Sequence, residues 1–315
     1  MIDSFGRTID YLRLSVTDLC NYRCTYCMPE EGVCKRAHAD ILSIEELYEI
    51  AAAAVRCGVK KIRLTGGEPL VRRGILELCR MLQQIPGLET LAVTTNASLL
   101  APVARELKSA GVDRLNISLD TLDAARFAEI TRRGRLDDAL AGLRAAKEAG
   151  FTNTKINAVL MGGVNEADIA PLAALTKDEE ISVRFIELMP MGECAHWPAA
   201  RFISADSVLR ALPELSFVDT DGVAERYRLP DAKGTVGLIR PMSCRFCTRC
   251  SRLRVTADGK LKPCLHSGEE IPLRGLHDVA LEAAIMDAAM KKPAAHTLRL
   301  LEPSHAARDM NEIGG

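Results

Sequence analysis

Three cysteines, Cys20, Cys24 and Cys27, stand within eight residues directly after an apolar run at 11–17. Thiolates three and four residues apart on a loop can converge on a soft metal, and Cys is the usual ligand of iron–sulfur clusters. Three thiolates leave one iron of a four-iron cubane without a protein ligand, open to a small molecule. A zinc site completed by His38, or buried unligated thiols, would also accommodate this triad taken alone. A second field follows at Cys244, Cys247, Cys250 and Cys264, where four thiols could equally close a tetrahedral zinc site. Between Cys244 and Cys264 lie Arg245, Arg249, Arg252, Arg254, Lys260 and Lys262, against the single acid Asp258. Strand alternation puts Arg252 and Arg254 on one face about 7 Å apart, a spacing at which two forked donors can hold successive phosphates. The plainer outcome of such a run is a solvated strand edge.

The surrounding chain is globular in composition: 315 residues, 48% hydrophobic, with a net charge of −1. Balanced charge argues against wrapping by nucleic acid, so anion binding must come from local clusters of basic side chains. Eleven cysteines, an odd number in tight groups, read as metal ligands in a reducing cytoplasm rather than as a disulfide framework. No apolar run reaches membrane-spanning length, and the start lacks the apolar stretch of a signal peptide. The expectation is a cytoplasmic protein with no membrane and no nucleic-acid partner.

The elements that must position these residues alternate. Candidate strands at 11–17, 61–65, 90–95, 114–119, 155–160 and 183–188 are separated by helical patterns at 44–57, 75–84, 102–110, 136–149 and 167–175, with Ser43 as an N-cap. This is an α/β pattern that predicts an incomplete (βα)6 barrel over 1–190. Residues 191–315 change rhythm, with a short helix at 204–212, β-like runs at 216–219, 225–229 and 235–240, a hairpin at 252–261 turning at Asp258-Gly259, and a helix near 276–291, which predicts an α+β extension. In βα barrels the site gathers at the carboxyl ends of the strands. Here those ends carry the Cys20 loop, Gly66-Gly67-Glu68-Pro69, Thr94-Thr95-Asn96 and Ser118-Leu119-Asp120. Lys155 and Asn157 lie within the fifth strand, and Arg184, Glu187 and Met189 along and after the sixth. The glycines also suit close approach of backbone to a ligand.

The pattern Cys20-x3-Cys24-x2-Cys27, with Tyr26 beside the last Cys and Gly66-Gly67-Glu68-Pro69 after the second strand, resembles the radical S-adenosylmethionine (SAM) superfamily. Cys247-x2-Cys250-x13-Cys264 around Arg252-Leu-Arg254, together with Arg13-Leu-Ser-Val-Thr-Asp, Lys61-Ile-Arg63 and the terminal Gly314-Gly315, resembles the GTP 3′,8-cyclase family within it, over nearly the whole chain. The resemblance implies a radical-SAM-type barrel, two [4Fe-4S] clusters and SAM. Cys20, Cys24 and Cys27 would ligate the first cluster, and Cys247, Cys250 and Cys264 a second in the extension, with Cys244 a bystander or a closing ligand. Tyr26, Gly67, Ser118 and Met189 match SAM-binding positions. Arg13, Lys61, Arg63, Thr94, Lys155, Arg184, Arg252 and Arg254 match positions at GTP or lining its cavity, and Arg13 is linked with Gly314 and Gly315 in catalysis. The implied reaction converts GTP to (8S)-3′,8-cyclo-7,8-dihydroguanosine 5′-triphosphate, the first step of molybdenum cofactor biosynthesis. It implies an electron donor and a downstream enzyme forming cyclic pyranopterin, and it allows a homodimer. Ser251 stands where the family usually has Asn, and Ala97 where it usually has Gly. Competing readings are a peptide or sulfatase maturase with an auxiliary cluster, and a non-catalytic zinc or iron–sulfur sensor.

Overall fold

The computed structural model describes residues 1–33, 36–299, 304, 306 and 308–314. Gly315 and the side chain of His38 lie outside that description. Six strands, β1 (Tyr11–Ser15), β2 (Lys61–Thr65), β3 (Thr90–Thr95), β4 (Arg114–Ser118), β5 (Lys155–Leu160) and β6 (Ser182–Glu187), stand side by side in chain order. Each is parallel to its neighbour. Parallel neighbours require long crossovers, supplied by helices α1 (Ile44–Arg56), α2 (Ile75–Gln83), α3 (Ala104–Ser109), α4 (Ala124–Thr131), α5 (Leu136–Glu148) and α6 (Ile169–Asp178). The start of α1 follows from its sequence: Ser43 Oγ accepts from the Glu46 N–H at 3.1 Å, and Glu46 returns the bond to Ser43 N at 2.7 Å, a capping box. Helix α4 was not anticipated, because its two turns carry too short an apolar pattern to show a period. It is secured by Asp123, which accepts from the Arg126 N–H at 2.7 Å.

The remaining elements are α7 (Asp206–Ala211), β7 (Ser216–Asp221), β8 (Ala224–Arg228), β9 (Thr235–Ile239), β10 (Arg252–Val255), β11 (Lys260–Lys262), β12 (Ile271–Pro272), α8 (Asp278–Met290) and α9 (Met310–Ile313). The expected extension is present, and its strands join the barrel sheet on both edges. β9 pairs in parallel with β6, and β10 in parallel with β1. Antiparallel β8 and β7 extend the sheet beyond β9, and β11 and β12 beyond β10. Residues 240–251 therefore run from one edge of the open barrel to the other, carrying Cys247 and Cys250 across its gap.

Alternation along the strands divides their faces. Leu12, Leu14, Ile62, Leu64, Val93, Leu115, Ile117, Ile156, Val183 and Phe185 are buried in the main core. Their alternates Tyr11, Arg13, Lys61, Arg63, Asn116, Ser118, Asn157 and Arg184 face a cavity inside the sheet. A barrel interior is ordinarily filled by branched apolar side chains. One lined with guanidinium and amide groups cannot pack dry against itself, and so is built to receive something polar.

Candidate active site

The first triad leaves the carboxyl end of β1 and is held by bonds within its loop and from the end of α4, where Thr131 O accepts from the Arg23 N–H at 3.0 Å and Ile130 O from the Thr25 N–H at 2.9 Å. The Cys27 N–H donates to Cys24 O at 2.9 Å, the Tyr22 N–H to Cys20 Sγ at 3.3 Å, and Arg23 Nη1 to Cys20 O at 2.6 Å. The Gly66-Gly67 turn after β2 lies against this loop. A Cβ on Gly67 would come within 2.3 Å of Leu19 O, and one on Gly66 within 2.4 Å of Thr17 O. What approaches these glycines closely is thus the backbone that delivers Cys20. Glu68 completes the brace, accepting from the Leu70 and Asn96 N–H groups and from Thr95 Oγ1. Burial pushes this carboxyl up to about 7 against those bonds. Tyr26 is anchored through its hydroxyl, which donates to Asp120 at 2.8 Å. Ala97, next to Asn96, has φ +63°; that conformation is why glycine suits the position.

The second triad is held from outside. Arg7, buried and paired with Asp3 at 2.6 Å, donates to Cys247 O at 2.8 Å and to Pro293 O at 2.7 Å. Lys292 Nζ donates to Arg252 O and Pro263 O, both at 2.8 Å. Cys247, Cys250 and Cys264 line the same cavity as Cys20, Cys24 and Cys27, whereas Cys244 is exposed and absent from its wall.

That cavity, of about 390 Å³, gathers nearly all the expected site residues. Tyr26, Gly67, Ser118 and Met189 border it near the first triad's loops, and Thr94 contributes from β3. Arg254, Arg13 and Arg63 lie in register across β10, β1 and β2, with Arg252, Tyr11 and Lys61 in the row below. Lys155 and Arg184 face it from β5 and β6. Gly314 is brought in by the chain end: Arg254 Nη1 donates to its carbonyl, and a Cβ there would meet Thr65 Oγ1 at 2.2 Å.

Sequence reading missed several members of this wall. Tyr11 is ringed by Lys61, Arg63 and Arg252 at 5.4, 5.6 and 5.9 Å from its centroid. Burial works to raise its phenol, but Arg63, Arg13 and Arg252 outweigh it and pull it down to about 7. Arg114, Asp221, His266 and Lys292 also line the cavity. Tyr11 and Arg114 stand two residues from Arg13 and Asn116, so strand alternation could have found them; Asp221 and Lys292 are placed by tertiary folding alone. Burial, then neighbouring arginines, pulls Arg252 and Arg254 below their ordinary values, and Arg63 to about 10. The Nε atoms of Arg63 and Arg184 and the Oδ1 atoms of Asn116 and Asn157 are buried without partners. The crowded buried cations and the unpaired Nε donors of Arg63 and Arg184 suit an anion, while the unpaired Asn116 and Asn157 oxygens call for a hydrogen-bond donor.

The donor set of the first triad suits the iron–sulfur cluster implied by the sequence, although among the described residues no three His, Cys, Asp or Glu side chains converge on a single metal ion. Ten described cysteines are all free, and three from each motif open on one cavity. Burial pushes Cys20 up to about 11 and Cys24 and Cys27 upward as well, so thiolates here need the positive charge of a metal beside them.

A partial barrel with such a triad after its first strand defines a class, and residues 14–176 match the Radical SAM superfamily. The chain belongs to that superfamily. Residues 181–298 match Molybdenum Cofactor Synthesis C. Full-length relatives narrow the assignment. The chain is 50% identical to GTP 3′,8-cyclase of Peptoclostridium acidaminophilum, covering 100% of this chain and 98% of that protein. It is 46% identical to GTP 3′,8-cyclase of Alkaliphilus metalliredigens, covering 100% of both. It is therefore a member of the GTP 3′,8-cyclase family. In fold it is similar to Streptococcus suis SuiB bound to S-adenosylmethionine, with a TM-score of 0.61 at 15% identity over 91% of this chain and 65% of that one. Among the described residues no helix is long and apolar enough to cross a membrane.

Proposed function

We propose that the cavity between the two cysteine triads is where this chain carries out the GTP 3′,8-cyclase reaction, with SAM against the first triad and GTP against the second. The observation that carries this reading is that both triads line one cavity whose remaining wall holds Arg13, Arg63, Arg252 and Arg254. Cys20, Cys24 and Cys27 would hold one [4Fe-4S] cluster, and Cys247, Cys250 and Cys264 a second; the exposed Cys244 is left out of both. When bound, the reduced first cluster together with SAM would supply the one-electron radical chemistry directed at the 3′ hydrogen of the GTP ribose.

The chain's own contribution is placement and exclusion of water, since a primary carbon radical reacts with whatever is nearest. Gly67, Ser118, Met189 and Tyr26 shape the SAM end, with Tyr26 fixed by Asp120. Arg252 and Arg254 on one strand face, with Arg13, Lys61, Arg63, Thr94, Lys155 and Arg184 around them, grip the triphosphate and set the distance from ribose to radical source. Gly314, seated on Arg254 and followed by Gly315, closes the wall beside Arg13 and acts with it in the step that turns C3′ toward C8. Residues 1–190 would serve as the SAM-binding barrel and 191–315 as the auxiliary-cluster and substrate-binding region. An electron donor and a downstream pyranopterin-forming enzyme are the partners the reaction requires.

The test is anaerobic incubation of the iron-loaded chain with SAM, dithionite and GTP, followed by mass analysis. Deoxyadenosine and a cyclised triphosphate are expected together. Deoxyadenosine formed equally with and without GTP, and no change in the nucleotide, would point to a different substrate.

A further inference from the structure

Three acids line the cavity among the described residues, and two are engaged by the protein's own backbone. Glu68 accepts from the Leu70 and Asn96 N–H groups. Glu187 accepts from the Ala205, Met242 and Ser243 N–H groups and from the Ser243 hydroxyl. Asp221 differs. A single oxygen of its carboxylate accepts from Lys155 Nζ at 2.8 Å and from Arg184 Nη2 at 2.5 Å, two of the cations assigned above to the nucleotide. Lys155 and Arg184 are largely buried, while Asp221 is 40% exposed. It sits at the end of β7, where Gly222 at φ +63° turns the chain into β8. This hairpin lies at the outer edge of the sheet, so the carboxylate can withdraw without dismantling the core.

We propose that Asp221 is a built-in competitor for the triphosphate: it occupies Lys155 and Arg184 until a polyphosphate takes them, and so sets how tightly the site holds nucleotide. This rests on the assignment of the cavity to GTP. A carboxylate near two buried cations lowers the local positive potential, and any phosphate binding there must displace it or share its donors. Arg184 Nε is buried without a partner even while Asp221 holds Nη2, so the guanidinium has a donor to offer an arriving ligand. Binding that is too uniform slows turnover by retaining product, and an internal anion limits it at the phosphates without altering the reacting end.

The experiment is calorimetric titration of the anaerobic, iron-loaded full chain with inorganic tripolyphosphate and, separately, with GTP. Asp221→Asn keeps the size of the side chain and the glycine turn while removing the charge, and Asp221→Ser is a second neutral variant. Tighter binding of both probes, by about tenfold, is expected in either neutral variant, with Asp221→Glu remaining near wild type. Unchanged or weaker binding in both neutral variants overturns the proposal and makes Asp221 a splint for Lys155 and Arg184. The nucleotide assignment survives that result as long as the wild-type chain binds GTP. A wild-type chain that binds neither probe removes the assignment and the competitor together.

Discussion

The two cysteine triads share a thiol count and open on one cavity, yet they differ in how many cations stand beside them. Around the first, burial raises the thiols; Glu68 near Cys20 and, after Cys27, Asp120 near Cys24 add to it, with Arg23 beside Cys20 as the opposing cation. Around the second, burial also works upward on Cys250, but Lys292, Arg252 and Arg254 outweigh it and leave that thiol below its ordinary value. Cys247 stays raised by burial. A site poor in cations suits a ligand carrying a sulfonium, and one crowded with them suits a triphosphate. On the proposed assignment, cysteine spacing would specify that a cluster is held, and neighbouring charge what each open iron meets. Both loops are braced from distant parts of the chain, the first by Arg132 and the backbone at the end of α4, the second by Arg7 and Lys292.

Removing one thiol from each triad gives the largest effects and tests whether the regions are separable. Cys24→Ala is expected to lose roughly half the iron and all SAM cleavage while still binding GTP. Cys264→Ala is expected to lose the other half while still producing deoxyadenosine without cyclisation. Iron analysis beside a deoxyadenosine assay reads both. Deoxyadenosine from Cys24→Ala, or full iron in either variant, breaks the assignment.

Next come the guanidinium groups that make the second region different. Arg252→Ala and Arg254→Ala should each weaken GTP binding by about 1.5 to 3 kcal/mol, the scale of a charged hydrogen bond, with SAM binding unaffected; equal losses for both ligands would mean that the two regions are not distinct. The tail is expected to matter less. Gly314→Ala sets a Cβ against Thr65 at a φ of +77°, a strain of about 1 to 2 kcal/mol. It should lift the tail from Arg254 and lower cyclisation relative to deoxyadenosine formation. An unchanged product ratio would show that the tail only fills space.

Much of this arrangement was legible in residue patterns. The runs at 61–65, 90–95 and 155–160 coincide with β2, β3 and β5, because apolar residues at alternate positions must be buried against helices. The rim residues followed from the rule that βα sites collect at strand ends. What stayed hidden depends on pairing between distant segments. Nothing local marks β9 and β10 as parallel partners of opposite barrel edges, so the bridging course of residues 240–251 could not be read. Arg7, Lys292 and Asp221 carry no local mark of their roles, because the groups they bond, Cys247, Arg252 and Lys155, are brought to them only by the fold. The strand spacing of Arg252 and Arg254 did place them correctly, although the cations beside them on β1 and β2 became their neighbours only through the β1–β10 pairing.

The smallest expected effect concerns the cations at the far end of the second region. Burial, with the Arg184 charge next, pulls the Lys155 ammonium down to about 8 against the opposing influence of Asp221. Between about 8 and the ordinary lysine value, the folded chain thus binds fewer protons than the unfolded one, and this group's contribution to stability rises with pH across that window. Polyphosphate binding changes in the other direction. The charge it needs is complete below about pH 7 and is lost as pH rises through 8, so GTP affinity should fall by up to about tenfold per unit above that point. Titration of Tyr11 near 7 adds a step of the same sign one unit lower, because its phenolate would face the phosphates. Calorimetry from about pH 6 to 9.5 should show both steps in the wild type, the lower one alone in Lys155→Met, and the upper one alone in Tyr11→Phe. SAM affinity, governed by the cation-poor region, should show neither. A matching pH profile for SAM would mean that the charge separating the two triads does not separate their ligands.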